Sequence, residues 1–542
     1  YLNREKIISF FLITYKNIAH YIFILFLKKL NTLKLNHPYS IKYKYYSCRM
    51  LSTLDIDLTG RMNQFKTYLD RTNMTHNQYQ YDGVRWIVNN EIRDDPPHDI
   101  RGGFIADEMG LGKTIMMIGT LLCNFLPKTL IVVPPVLLDQ WFTQIYRTTG
   151  HKAVIYHGNN KKRITLDMLN KATIVITTYG AITLTRKQIK DGCVTLLHQI
   201  SWNRTVFDEA HHLRNNRTTR YISAKKIDTN IRWLVSGTPI QNNKKDFYNL
   251  CSFIRLPASF YTEQDNLRVL TNAFILKRTK RLVGIDIPGL FINKNVVQWT
   301  SQFEMKISSD IHSMLPFSNV LPSKDNSKLI IQTMRDSGML AMILRARQTC
   351  IYPKLLTPKL DLLVKRGLFP DYSSYKNEFN HSSKLDFAVN KILQRKDNGC
   401  GKLIFCHFRA EIDEIASRLI QGGMNTVVKI DGRTSNAKRA HILTEKNDAL
   451  ILQIQTGCEG LNLQENYSEI YFISPHWNPA VEDQAIARCH RIGQTKEVYV
   501  ERFEMAPFAP SVDQTVSPIT VDNYVSSVQE GKRLVSQQYI QK

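Results

Sequence analysis

The sequence has 542 residues, 43% hydrophobic and 22% charged, a balance that excludes wholesale disorder and leaves room for two or more domains. Its net charge of +25 points to a polyanionic partner, against the plainer alternative of a merely soluble basic protein. Nine scattered cysteines include no CxxC pair, so no structural zinc is expected, and the pattern suits a reducing compartment.

Residues 1–49 differ from the rest. They carry nine Lys/Arg and only Glu5 as an acid, contributing +8 and leaving +17 elsewhere. No methionine precedes Met50, and 29 of the 49 are Phe, Tyr, Asn, Lys or Ile, all encodable by A and T alone. The favoured expectation is a non-native or disordered extension upstream of a start at Met50. The alternative is a membrane anchor over Ile7–Leu27. Lys16 sits in its middle at an insertion cost of roughly 3 kcal/mol, and no small-residue cleavage site follows. A membrane partner is therefore not expected.

After a lead-in at 50–75, strand, polar loop and helix alternate. The strand-like runs are Gly103–Ala106, Leu130–Val133, Ile174–Thr177, Thr205–Phe207 and Trp233–Val235, then Leu403–Cys406, Val427–Ile430, Leu450–Ile454, Ile470–Ile473 and Val498–Val500. Such alternation predicts an α/β fold of parallel sheets flanked by helices, with ligands at the carboxyl ends of the strands. Between them, over 256–383, the alternation fades and Lys, Arg, Ser and Asn increase, which reads as helical protrusions and a linker.

The first run leads into Asp107-Glu108-Met109-Gly110-Leu111-Gly112-Lys113-Thr114. Gly110 and Gly112 allow the backbone to curl its N–H groups toward phosphate oxygens; Lys113 suits the β/γ-phosphates and Thr114 a Mg²⁺ ion. The strict phosphate-loop pattern asks for Gly where Asp107 stands, so taken alone a glycine-containing strand–helix turn remains the rival. The later Asp208-Glu209-Ala210-His211 supplies two acids at a strand end, Asp208 for the Mg²⁺ shell and Glu209 to orient and deprotonate water. Upstream, Gln80 has the amide that pairs with an adenine edge. Near the C-terminus, Arg488 and Arg491 would share one face if their segment is helical, and guanidinium forks suit γ-phosphate oxygens.

Together these segments resemble the Swi/Snf-type DNA-dependent ATPases of helicase superfamily two. The resemblance runs through Gln80, Asp107–Thr114, Val133-Pro134-Pro135 with Gln140-Trp141, Thr177-Thr178-Tyr179, Asp208–His211 and Ser236–Asn242. It continues in Thr456-Gly457, Gly460–Leu463, Trp477-Asn478-Pro479 and His490–Gln494, in family order over about 76–505. In this family Asp is the usual residue at position 107. Leu344–Cys350 looks like the branch of transcription-termination and post-replication-repair translocases, and the compact chain resembles viral global transactivators. Cys458 replaces a usual Gly and Ala487 a frequent Asp, from which tuned coupling is expected.

The resemblance implies two RecA-like lobes: an ATP-binding lobe at 76–290, helical protrusion and linker at 291–383, and a C-terminal lobe at 384–542. It implies ATP and Mg²⁺ as cofactors, with Lys113, Asp208, Glu209, Arg488 and Arg491 as catalytic groups. Pro134, Gln140, Trp141, Thr177, Thr178, Ser236, Thr456 and Asn462 would lie along a nucleic-acid track, and His211, Thr238, Gln241 and Gln484 would couple that track to ATP. Expected partners are double-stranded DNA, and beyond it nucleosomes or DNA-bound transcription proteins, in a nucleus or viral replication compartment. The function implied is a duplex-tracking translocase that remodels chromatin or displaces bound proteins. A strand-separating DNA or RNA helicase is the alternative, and a non-catalytic scaffold a third.

Overall fold

The computed structural model describes residues 51–239, 244–263, 266–320, 338–367, 370–457, 461–510 and 518–540. The expectations for residues 1–49, for Gln241 and for Cys458 fall outside these, as does the side chain of Thr456. The chain divides into two compact units, residues 1–61 and 62–542; the sheets and sites described below belong to the second.

The first sheet is built from β1 (Arg101–Ile105), β2 (Thr129–Val133), β3 (Val154–Tyr156), β4 (Ile174–Thr178), β5 (Trp202–Asp208), β6 (Thr229–Val235) and β7 (Ile275–Leu276). All pairs are parallel, in the order β3-β4-β2-β5-β6-β1-β7. Every residue of β2 and β4 is buried, which explains their continuous apolar sequence: helices cover both faces. A buried polar brace ties this sheet to the helix Gln78–Ile92. Glu91 accepts from Arg204 Nε at 2.7 Å, Trp233 Nε1 at 2.8 Å and Asn124 Nδ2 at 2.7 Å. The Arg204 and Glu91 side chains are fully buried, so their charges persist only because each is paired and hydrogen-bonded.

The second sheet comprises β8 (Leu290–Val297), β9 (Gly401–Cys406), β10 (Val427–Ile430), β11 (Ala449–Gln453), β12 (Tyr467–Phe472) and β13 (Val498–Met505). It too is parallel throughout, in the order β10-β11-β9-β12-β13-β8. Residues 290–297 pair with β13, and several described residues of the stretch expected as protrusion and linker pack into the core of this sheet. Ile307, Ile311, Ala346, Cys350, Leu356, Leu360 and Phe379 join Ile404, Ile451 and Phe503 in one apolar cluster. The signal of a layered fold weakens there because helices, not strands, supply the packing.

The strand order positions the chemistry. β5, β6, β1 and β7 are neighbours, so the loops leaving their carboxyl ends converge. These are Asp208-Glu209, Ser236-Gly237-Thr238, Ala106–Gly112 and Lys277–Lys280.

Candidate active site

The segment after β1 continues as though still in the sheet. Ala106 N donates to Leu276 O at 2.8 Å and Glu108 N to Arg278 O at 2.9 Å. The loop then turns through Gly110 at φ +91° and Gly112 at φ +80°, conformations that glycine adopts without strain, and the helix Lys113–Cys123 begins. A Cβ on Gly112 would lie 2.3 Å from Gln80 Nε2. Gln80, buried, is packed onto the loop and donates to Leu111 O at 3.3 Å.

Lys113 Nζ donates to the carbonyls of Asp107 and Glu108 at 2.9 and 3.3 Å. Burial pulls its ammonium below the usual lysine range, opposed by the charges of Glu209, Asp107 and Asp208. Thr114, one residue on, is half-buried in the first helical turn.

Asp208 ends β5. Its Oδ2 accepts from Trp141 Nε1 at 2.8 Å and its Oδ1 from Glu209 N at 3.0 Å, while its carbonyl accepts from Tyr179 OH at 2.7 Å. Glu209 adopts a left-handed conformation, φ +51°, and its Oε2 lies 3.2 Å from His211 Nδ1. Burial and the neighbouring Glu209 charge push Asp208 up to about 6. Burial acts on Glu209 in the same direction, but the His211 contact and the charges of Arg488 and Lys113 outweigh it and hold the carboxyl at about 2. Two adjacent acids in a buried site, Glu209 ionised throughout and Asp208 losing its proton at about 6, suit a cation.

His211 Nδ1 also lies 3.5 Å from Ser236 Oγ, which accepts from Thr238 N at 3.3 Å. Between them Gly237 faces the lysine: a Cβ there would meet Met109 Cγ at 2.9 Å and Lys113 Nζ at 3.3 Å. Phosphate loop, acid pair and this third loop thus share one cleft within the first lobe.

The second lobe closes it. The helix Pro479–Ile486, capped by Asn478 Oδ1 on Ala480 N at 3.2 Å, ends before either arginine. Tight turns follow, with Cys489 N on Ile486 O at 3.0 Å and Arg491 N on Cys489 O at 3.1 Å, and Gly493 reverses the chain at φ +94°. The shared face expected if the segment is helical is therefore not formed by this helix: the arginines follow it in a turn. Arg491 packs on the phosphate loop, where a Cβ on Gly110 would meet its Cβ at 3.3 Å, and its Nη1 donates to Asn462 Oδ1. The Arg488 charge acts on both Glu209 and Lys113.

Of the residues expected along a nucleic-acid track, Trp141, Thr177 and Thr178 are 1%, 0% and 1% exposed, which leaves them no surface for a bound strand. Trp141 holds Asp208, whereas the threonines bond to the neighbouring strand and the residue after it: Thr177 Oγ1 donates to Tyr156 O at 2.8 Å, and Thr178 Oγ1 lies 3.1 Å from His157 Nδ1. Pro134 and Ser236 are buried too, Gln140 is half-buried and Asn462 exposed. Gln484 is buried, its amide nitrogen without a hydrogen-bond partner among the described residues. Thr456 lies in the short helix Ile454–Gly457 that follows β11.

Two site residues escape a reading of the sequence. Arg278 forks onto the fully buried Asp107 carboxylate, Nε at 3.2 Å and Nη2 at 2.5 Å, and also donates to Tyr79 O. Lys280 Nζ sits 3.3 Å from Glu108 Oε1 and donates to the His490 carbonyl of the other lobe at 2.8 Å. The signal available is the basic run Lys277-Arg278-Thr279-Lys280 directly after the apolar pair Ile275-Leu276.

Comparison with known proteins matches residues 79–265 to the SNF2-related domain and residues 383–493 to the helicase conserved C-terminal domain. The chain is 27% identical to a probable global transactivator of Orgyia pseudotsugata multicapsid polyhedrosis virus, covering 80% of this chain and 86% of that protein. It is 26% identical to the ATP-dependent DNA helicase DDM1 of Arabidopsis thaliana, over 79% of this chain and 58% of the relative. It is also 26% identical to the ISWI chromatin-remodeling complex ATPase ISW2 of Saccharomyces cerevisiae, over 84% and 41%. The chain spans less than two thirds of the length of these two cellular relatives. A solved Sulfolobus solfataricus SWI2/SNF2 ATPase core in complex with dsDNA is similar at TM-score 0.34 and 22% identity, covering 85% of this chain and 92% of that one. With both domains matched in chain order and their loops meeting at one cleft, the chain belongs to the SNF2-related, helicase-like ATP hydrolases.

Proposed function

We propose that the protein is an ATP-dependent translocase on double-stranded DNA that remodels chromatin or displaces DNA-bound proteins, serving transcription or repair in a nucleus or viral replication compartment. One observation carries this reading: the arginines of the second lobe reach the acids and phosphate loop of the first, so hydrolysis requires the lobes to be closed. A cycle that couples closure to hydrolysis shifts one lobe against the other, and a shift between two grips on a backbone is a step. The net charge of +25 supplies the attraction for such a polyanion.

The residues fit ATP and Mg²⁺. The Gly110–Gly112 turn opens backbone N–H groups to phosphates, and Lys113, now bonded to its own loop's carbonyls, can exchange them for phosphate oxygens. Asp208 and Thr114 would hold the Mg²⁺, which when bound neutralises phosphate charge. Glu209 orients the attacking water and takes its proton, and Arg488 and Arg491 balance charge developing on the transferred group. Loss of such an arginine costs on the order of 10³–10⁵ in rate.

ATPase rates with no nucleic acid, single strands, duplex and nucleosomes test the proposal. Preferential stimulation by duplex without strand separation is expected. Better stimulation by single strands, accompanied by unwinding, would replace it with a strand-separating helicase; activity untouched by any nucleic acid would leave neither.

A further inference from the structure

Behind the acid pair, on the first lobe, lies an open cavity of about 1010 Å³ that no role assigned above uses. Arg214, Arg217, Arg220 and Lys245 line it, with Asp246 as its one acid. Arg217 is exposed, and among the described residues no carboxylate pairs with it or with Arg220. Several cations held around one concavity repel each other and focus positive potential into it, a cost that an anion relieves. Asn215, Asn216, Thr218 and Asn249 add short polar groups to the wall, the kind that bind phosphate oxygens without reading bases.

The wall is also joined to the catalytic acids. Arg220 Nη1 donates to His212 Nδ1 at 3.2 Å, and its guanidinium lies 5.9 Å from the centre of the Tyr179 ring, whose hydroxyl holds the Asp208 carbonyl. The His212 ring is 4.6 Å from that of His211, the partner of Glu209. An anion that drew Arg220 into the cavity would tug on the Asp208 backbone through Tyr179 and on the Glu209 carboxylate through the two histidines.

We propose that this cavity binds consecutive phosphates of a nucleic-acid backbone and reports their presence to the Asp208–Glu209 pair. The inference rests on the duplex-tracking reading above and places one grip of that track. A backbone is favoured over a small free anion because the cavity is open and, at about 1010 Å³, has room for more than one phosphate group.

The test uses the full chain and a fluorescent duplex, with anisotropy followed across a salt series. The double variant Arg217→Ala/Arg220→Ala is expected to bind about tenfold more weakly. It should also lower the slope of log affinity against log salt by about 2, since each phosphate left without its cation removes near one unit. The ratio of ATPase rates with and without duplex should fall as well. The charge-keeping variant Arg217→Lys/Arg220→Lys should preserve the slope, which separates missing charge from failure to fold. A double alanine variant with wild-type affinity and slope overturns the inference while leaving a duplex-stimulated ATPase intact. So does inorganic tripolyphosphate that binds the wild type and not the variant without displacing duplex, since the cavity is then a free-anion site. A wild-type chain that binds no duplex removes the parent reading and this one together.

Discussion

Lys280 Nζ lies 2.8 Å from the carbonyl oxygen of His490 and 3.3 Å from Glu108 Oε1, so one ammonium spans the two lobes beside the phosphate loop. Its side chain is 9% exposed, and burial lowers its pKa against the pull of Glu108. Hydrogen bonds to a charged group contribute about 1.5–3 kcal/mol when both ends are satisfied. Lys280→Ala is therefore expected to cut kcat roughly ten- to a hundredfold by favouring the open cleft. Energy transfer between a dye on each lobe should show the opening directly. Wild-type turnover with an unchanged dye distance would mean the contact is incidental.

Trp141, expected along a nucleic-acid track, is instead the buried donor to Asp208 Oδ2. Burial and the Glu209 charge raise the Asp208 carboxyl to about 6, and the indole N–H works against both. Trp141→Phe removes that restraint, so the carboxyl holds its proton to still higher pH. Since only the ionised form can ligate a cation, the acidic limb of the kcat/KM profile should move upward, by on the order of one pH unit. Activity should then fall further at pH 6 than at pH 8. An acidic limb that stays in place would remove Trp141 from the electrostatics of the site.

The parts legible in the sequence are those whose burial is simple. β2 and β4 are enclosed on both faces and read as unbroken apolar runs. β8 is an edge strand with six of its eight side chains exposed and Asn293-Lys294-Asn295 at its centre, so its composition looks like a loop. Trp141 is hard to place for a different reason. In the helix Leu138–Thr149 the buried residues are Leu138, Trp141 and Ile145, an i, i+3, i+7 spacing that marks a core face, but the adjacent Gln140 suggests polar contacts. Arg278 and Lys280 act across sequence gaps of 171 and 210 residues, on Asp107 and His490, which no local pattern encodes. The arginine segment has helical spacing and keeps one helical bond, His490 N to Ile486 O, yet Cys489 N bonds Ile486 O and Arg491 N bonds Cys489 O as in tight turns, where Arg491 packs against Gly110 of the other lobe.

Gly112 offers a test of how closely Gln80 guards the loop. A methyl there meets both a left-handed φ of +80° and an amide 2.3 Å away. The backbone cost is about 1–2 kcal/mol, and the amide must also withdraw from Leu111 O. Gly112→Ala should weaken nucleotide binding by tenfold or more, measured with a fluorescent ATP analogue. Gly150 is the control: it is also left-handed, at φ +69°, but has open space around it. Gly150→Ala should lower stability by about 1 kcal/mol and leave nucleotide binding unchanged. Equal effects at the two glycines would assign the whole loss to backbone strain.

His312 pins the start of the helix Val521–Ile540 to the second lobe. Its Nδ1–H donates to Ser308 O at 2.7 Å and its Nε2 accepts from Val521 N at 2.9 Å, an arrangement available only to a neutral ring. Burial is the main reason its pKa falls to about 4, with the Ser308 carbonyl and the Asp522 charge opposing. An unfolded histidine titrates near 6.5, so the stabilisation is complete above that pH and is lost as pH falls from 6.5 through 4. The loss amounts to roughly 3 kcal/mol at the lower end. His476, also depressed to about 4 by burial, adds to the same acid slope. The helix matters to the site because Gln529 Nε2 donates to Glu482 Oε1 at 2.7 Å and Arg533 pairs with Asp483 at 2.9 Å, holding the helix that leads to Arg488 and Arg491. His312→Gln can keep both hydrogen bonds without titrating. Urea unfolding followed between pH 5 and 7.5 should show a shallower acid loss for this variant than for the wild type, and ATPase at pH 5 should decline less. Superimposable acid slopes would show that protonation of His312 does not release the helix.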